Sequence, residues 1–230
     1  MEAAILAGGL GTRLRAAVPD LPKPMAAIAG RPFLEIVLAS LARKGFSRII
    51  LSLGHMAEKV VSHFGTSFEG MDLIYEIEAS PLGTGGALRQ ALERASSDHV
   101  FVFNGDTFLD LEVPELEAFW QARRLSTIVG KNVADTRRYG RLETEGQRVI
   151  GFTAKGLPGP GLINAGCYVL PTDALDMFEP GQAFSLEADF LAAAVKTQRF
   201  ALFTTDAFFI DIGIPDDYLR AQAQLAGMVS

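Results

Sequence analysis

A short apolar run, Ala3 to Ala7, leads into Gly8-Gly9-Leu10-Gly11-Thr12-Arg13-Leu14, and Lys23 follows between Pro22 and Pro24. An apolar run bounded by glycines is the pattern of a buried strand. Glycines let backbone N–H groups come close to an anion, and Arg13 and Lys23 add two full positive charges. The segment reads as a phosphate cradle, with a plain tight turn as the alternative. It is not the dinucleotide fingerprint, because Leu14 stands where the third glycine is required, and no Walker lysine–serine pair follows. Asp106 closes Phe101-Val102-Phe103-Asn104-Gly105, and Asp211 closes Phe208-Phe209-Ile210. Two hard oxygen donors of this kind, brought together, suit Mg2+. Each also suits a turn, since Asn-Gly favours hairpins and aspartate opens turns. His55, His63 and His99 fall in no motif, and the single Cys167 lies in the apolar segment Ile163 to Leu170, where it reads as core.

Taken in order, Leu6 to Leu14, Pro22-Lys23-Pro24, Pro81-Leu82-Gly83-Thr84-Gly85-Gly86-Ala87, Asn104-Gly105-Asp106, Asn164-Ala165-Gly166-Cys167-Tyr168 and Asp211-Ile212-Gly213 span nearly the whole chain. This ordered set resembles the sugar-1-phosphate nucleotidylyltransferases. The compact size and the wording Asp20-Leu21-Pro22-Lys23-Pro24-Met25 are most similar to the bacterial heptose-1-phosphate guanylyltransferase branch. The resemblance implies a Rossmann-like α/β fold, with a mixed, mostly parallel sheet flanked by helices and a small sugar-binding lid subdomain.

It also implies a division of labour. Leu6, Ala7, Gly8, Gly9, Gly11, Thr12, Arg13, Lys23, Gly83, Thr84, Gly85, Asn104 and Asp106 would bind the nucleotide, and Gly105, Gly140, Lys155, Asn164 and Glu187 the sugar phosphate. Arg13, Lys23, Asp106 and Asp211 would be catalytic, with Mg2+ held by Asp106 and Asp211. Relatives place a glutamate before the second lysine as a sugar-hydroxyl acceptor, whereas Ala154 stands there in this chain, and Glu187 is a candidate substitute. The implied reaction joins an NTP, GTP by branch, to a sugar 1-phosphate with release of pyrophosphate. Uridylyl or thymidylyl transfer to a hexose or amino-sugar 1-phosphate is the alternative within the class, and a non-catalytic nucleotide-sugar sensor the alternative outside it. A phosphate monoester ionises a second time near a pKa of about 6, so the attacking oxygen needs no general base.

These residues need strands to carry them. Ala3 to Ala7, Arg48 to Leu53, Leu73 to Ile77 and Val100 to Phe103 are short and apolar. Helical patterns separate them: Phe33 to Leu41 after Pro32 and before Gly45, Ala57 to Phe64, Gly86 to Ala95, and a helix opened by Pro114 and running to Arg124. Such alternation predicts parallel strands with crossover helices, whose ligands sit at the carboxyl ends of the strands. From about Thr127 the predicted strands shorten to Arg141–Glu143, Val149–Phe152 and Ile163–Val169, with a Gly-Pro-rich turn at 156–161, before helices at Leu186–Val195 and Asp216–Leu225. The expected organisation is one domain over 1–230, with about 1–126 for the nucleotide and about 127–230 for the sugar and the second carboxylate. Some members of the family continue into a left-handed β-helix, and the expectation here is the catalytic domain alone.

The chain has 230 residues, 49% hydrophobic and 21% charged, with a formal charge of −6. An acidic balance argues against a nucleic-acid surface, which needs clustered lysine and arginine. One cysteine cannot form an internal disulfide, no signal-peptide pattern opens the chain, and no apolar run has membrane-spanning length. The expected setting is the cytoplasm, with small-molecule partners only, as a monomer or homodimer.

Overall fold

The computed structural model describes residues 1–9, 11, 14 and 18–228. Leu10, Thr12 and Arg13 lie outside the described residues, and with them the roles expected of Thr12 and Arg13. The first half contains β1 (Glu2–Leu6), a small hairpin of β2 (Ala27–Ile28) and β3 (Arg31–Pro32), α1 (Phe33–Arg43), β4 (Arg48–Leu53), α2 (Ala57–Phe64), β5 (Ser67–Phe68), β6 (Met71–Ile77), α3 (Gly83–Leu92) and β7 (His99–Asn104). There follow β8 (Thr107–Leu109), α4 (Val113–Arg123), β9 (Thr127–Val133), β10 (Leu142–Glu145), β11 (Arg148–Phe152) and β12 (Gly161–Pro171). A π-helical turn (Leu186–Leu191) runs into α5 (Ala192–Thr197), then β13 (Phe200–Thr205), β14 (Phe209–Asp211) and α6 (Pro215–Gln224).

One ten-stranded sheet, in the order β10-β11-β13-β9-β12-β7-β1-β4-β6-β5, organises the chain. β1 lies between β4 and β7, parallel to both, and β4 is parallel to β6. β12 runs antiparallel between β7 and β9, so the second half extends the same sheet. Residue parity along each strand selects the face. Ala3, Ile5, Phe101 and Phe103 pack in a cluster with α1 residues such as Phe33 and Leu38, whereas Ala4, Val100 and Val102 pack in another with Leu88 of α3 and Leu191 beyond. Each fully buried Leu or Phe contributes about 1.5–3 kcal/mol.

Besides the short β2, β3, β5, β8 and β14, two longer strands lie where the sequence pattern marks none. β9 carries Gly130, Lys131 and Asn132 in its second half, which breaks any alternation, and β13 is a short run whose periodicity does not distinguish strand from buried helix. The predicted helix at Leu186–Val195 is split into the π-helical turn and α5, and α3 begins at Gly83, three positions before the expected Gly86. The expected strand at Arg141–Glu143 begins one residue later, with Arg141 in an isolated bridge to Ile163.

Because β1, β4 and β7 are parallel, their carboxyl ends meet at one edge. Ala7 N–H donates to Ser52 C=O at 2.8 Å and Gly105 N–H to Leu6 C=O at 2.9 Å, which ties the loops at Gly8, Gly54 and Gly105 together. A second, two-stranded sheet pairs β8 with β14 antiparallel and sets Asp211 opposite Thr107. Among the described residues no helix is long and apolar enough to cross a membrane.

Candidate active site

Asp106 lies in the turn between β7 and β8, and Asp211 ends β14. The β8–β14 pairing brings them side by side, and Ile212 N–H donates to the Asp106 carbonyl at 2.9 Å. Lys23 Nζ meets Asp106 Oδ2 at 2.5 Å, the lysine side chain only 12% exposed and the aspartate 35%, so the lysine is largely withdrawn from water while the carboxylate stays open to the cleft. Asp211 Oδ1 accepts the Gly213 N–H at 2.5 Å, and Arg138 Nη2 lies 3.7 Å from Asp211 Oδ2. Burial, and then the negative charge of Asp106, push the Asp211 carboxyl above the usual range; the Gly213 N–H, Lys23 and Arg138 pull against that rise. Gly213 is required by contact: a Cβ there would stand 2.7 Å from Asp211 Oδ1.

Both aspartates line a cleft of about 340 Å³ together with Lys155, Asn164, Tyr168, Glu187, Tyr139 and Phe209. Asn164 Nδ2 donates to the Tyr168 hydroxyl at 2.7 Å and to Glu187 Oε2 at 3.1 Å, which orients the glutamate that the π-helical turn presents. β12 changes register between Asn164 and Tyr168, and Gly166 at its centre has φ +68°. A Cβ at Gly166 would lie 2.5 Å from Asn104 Nδ2, so this bulge is where the Asn104 side chain crosses onto β12. Lys155 is exposed and faces the cleft from the loop after β11, with Ala154 exposed beside it. Gly140 lies against the Thr153 carbonyl, where a Cβ would come within 2.6 Å, and its neighbour Tyr139 is the residue that lines the cleft.

The cleft continues toward β1. A cavity of about 170 Å³ is lined by Leu6, Ala7, Gly9, Lys23, Thr84, Asn104, Gly105 and Asp106, and one of about 150 Å³ by Leu6, Gly8, Gly9, Glu78, Pro81, Gly83, Thr84 and Ala87. Thr84 lines all three spaces, so they form one furrow. Its hydroxyl accepts the Leu186 N–H at 3.0 Å and joins α3 to the π-helical turn. Gly85 is turned away from the furrow: its N–H donates to the Phe184 carbonyl at 2.9 Å, and a Cβ would strike the Phe184 ring. Gly11 borders a small crevice with His55 on the other side of Lys23.

The structure therefore gathers Lys23, Asp106, Asp211, Asn104, Thr84, Lys155, Asn164 and Glu187 along one furrow. Among the described residues no group of three or more His, Cys, Asp or Glu gathers to hold a metal, so a cation here would rest on Asp106, Asp211 and oxygens of its substrate. Three residues escaped the sequence reading. Arg138 reaches Asp211 while paired with the buried Asp217 of α6, Tyr139 packs edge-on to Phe209 at 6.1 Å between centroids, and Glu78 borders the end of the furrow. Arg138 and Tyr139 adjoin Gly140, and Glu78 stands just ahead of the Pro81–Ala87 segment, so proximity to those motifs was the available signal.

Similarity to characterised proteins extends over the same span. The model of the nucleotidyl transferase family matches residues 2–227. The D-glycero-alpha-D-manno-heptose 1-phosphate guanylyltransferase of Aneurinibacillus thermoaerophilus is 40% identical over 226 residues, 98% of each chain. The enzyme of that name from Campylobacter jejuni is 38% identical over 219 residues, 95% of this chain and 97% of its own. The crystal structure of HddC from Yersinia pseudotuberculosis complexed with GMP-PN matches with a TM-score of 0.87 at 37% identity, over 97% of this chain and 99% of that one.

Proposed function

Because this chain belongs to the nucleotidyl transferase family, we propose that it transfers a guanylyl group from GTP to a heptose 1-phosphate, giving the nucleotide sugar and pyrophosphate. The observation that carries the reading is the furrow itself, with two carboxylates and a lysine at its middle, a lysine and polar side chains at one end, and a glycine-walled cavity at the other. Guanylyl and heptose come from the relatives at 38–40% identity over nearly the full length of each chain.

An oxygen of the sugar phosphate attacks the α-phosphorus. The bond from that phosphorus to the β-phosphate oxygen breaks, and pyrophosphate leaves with the electron pair. The nucleophile is already dianionic at neutral pH, and among the described residues no histidine lines the three joined spaces. Positioning and charge carry the reaction. Lys155 suits the incoming sugar phosphate, Lys23 the phosphates of the nucleotide, and Asn164 with Glu187 the sugar hydroxyls. Asp106 and Asp211 fit Mg2+, since a cation between them relieves the mutual repulsion and burial that raise the Asp211 carboxyl. Bound there, the ion would neutralise charge on crowded phosphate oxygens. A cytoplasmic setting, action as a monomer or homodimer, and a role in supplying activated heptose for surface polysaccharide belong to the same proposal.

The test is pyrophosphate release with GTP, UTP, dTTP, CTP and ATP against a panel of sugar 1-phosphates. GTP with a heptose 1-phosphate should give the highest kcat/KM. No product with any pair overturns the reading.

A further inference from the structure

Segment 182–186 crosses the opening turn of α3 as a strap. Phe184 N–H donates to the Leu82 carbonyl at 2.9 Å, the Phe184 carbonyl accepts the Gly85 N–H at 2.9 Å, and the Leu186 N–H donates to Thr84 Oγ1 at 3.0 Å. Three glycines make room for it. A Cβ at Gly83 would lie 2.5 Å from the Phe184 carbonyl oxygen, and at Gly85 and Gly86 it would strike the Phe184 ring and the Gln182 carbonyl. The strap ends where Glu187 begins. Both neighbours of that glutamate have their N–H taken by a hydroxyl: Leu186 by Thr84, and Ala188 by Ser185 Oγ at 3.1 Å. The opening turn of a helix leaves its N–H groups without intrahelical partners, and for Leu186 the acceptor comes from another element, 102 residues away in the chain. Apart from the two aspartates, Glu187 is the one carboxylate among the described residues lining the 340 Å³ cleft.

We infer that Thr84 is a positioning residue for the sugar site: its hydroxyl, by holding the Leu186 N–H, sets the π-helical turn so that Glu187 meets the sugar hydroxyls. This rests on the reading of Glu187 as a sugar-hydroxyl acceptor and deepens it. Thr84 borders every part of the furrow, and its place in the glycine-rich turn points to the nucleotide, yet its oxygen is engaged by the protein before any ligand binds. Valine has nearly the same shape and no acceptor. In its presence the part-buried Leu186 N–H has no partner, and the turn must shift to bring it to water. A carboxylate accepts a hydroxyl over a narrow range of distance and angle. Asn164 grips Glu187 at its carboxylate only, so a shift of the backbone beneath it spoils the approach to the sugar.

The test measures kcat/KM for heptose 1-phosphate at saturating GTP, and the KM of GTP, in Thr84→Val, Thr84→Ser, Glu187→Gln and the T84V/E187Q double variant. T84V should lower kcat/KM for the sugar phosphate about 10-fold, the scale of one hydrogen bond, and change the KM of GTP by no more than about 2-fold. T84S keeps the hydroxyl and should stay within about 3-fold of wild type. Added to E187Q, T84V should cost no more than about 2-fold, because the group it positions is already gone. A T84V that raises the KM of GTP instead, that retains wild-type kcat/KM for the sugar phosphate, or that costs about 10-fold again on top of E187Q overturns the role of Thr84 and leaves guanylyl transfer standing. An E187Q with wild-type kcat/KM for the sugar phosphate overturns the reading of Glu187 and the inference with it. A wild type that releases no pyrophosphate with any sugar 1-phosphate overturns the function beneath both. If T84V has no cooperative melt, Thr84→Ala, which removes the hydroxyl and adds no bulk, carries the same comparisons with the same outcomes.

Discussion

Gly213→Ala is the sharpest test of how the carboxylate pair is built. Gly213 has no left-handed φ, so alanine fits its backbone, and the perturbation is purely one of contact. The new methyl would stand 2.7 Å from Asp211 Oδ1 and 3.4 Å from both Cγ and Oδ2. Asp211 has one short side chain, its backbone is locked opposite Thr107, and Arg138 stands 3.7 Å from its other oxygen. The carboxylate must therefore retreat by most of an ångström and surrender the Gly213 N–H. A hydrogen bond to a charged group contributes about 1.5–3 kcal/mol, which corresponds to roughly 10–150-fold in rate. A displacement near 1 Å at a reacting centre costs about 100-fold. We expect kcat to fall about 30–100-fold in a pyrophosphate-release assay, with a rightward shift in the divalent-ion titration. Overpacking of about 1–3 kcal/mol would lower Tm by no more than about 12 °C, so the variant remains folded at 25 °C. A kcat within about 3-fold of wild type and an unshifted metal titration would refute the assignment of Asp211.

Asp106→Asn and Asp211→Asn should each lower kcat by about 100–1000-fold while changing nucleotide affinity far less; equal losses in both, measured by turnover and calorimetry, would contradict the metal reading. Lys155→Gln should raise the KM for sugar phosphate about 10-fold or more and leave the KM for nucleotide alone. Cys167 is buried and its thiol is pushed up, so thiol reagents should label the native chain at the rate of its unfolding, and rapid native labelling would place the residue elsewhere. The folded chain binds the Glu78 proton more tightly than the unfolded chain, so this group's contribution to stability is present below its unfolded pKa and lost as pH rises through the folded one. The Tm of Glu78→Gln relative to wild type should therefore climb as pH rises above the ordinary carboxylate range, and a flat difference would argue against the half-buried carboxylate.

The parallel core was readable because β1, β4 and β7 are short, mostly apolar runs that each stop near a glycine or asparagine, and the glycine-bearing motifs of β1 and β7 sit at those stops. β9 and β13 were not readable. Their placement depends on β12 running antiparallel between β7 and β9, a long-range pairing that no local spacing records. Among site residues, Asp106 and Asp211 announced themselves by closing apolar runs, but their meeting depends on the three-residue pairing of β8 with β14. Gly85 looked like a ligand-facing glycine and proves to be a packing glycine, because Phe184 occupies the space beside it. Arg138, Tyr139 and Glu78 are ordinary residue types in mixed polar surroundings, and only the fold shows which way they point.

The β8–β14 pairing joins segments about 100 residues apart in the chain. On a ribosome adding about 5–20 residues per second, Asp106 waits roughly 5–20 s for its partner to be made. The early parallel strands can collapse in that interval, yet the nascent chain holds half a reaction centre. The carboxylate pair that we assign to the reaction is completed only when β14, the last strand among the described residues, docks on β8.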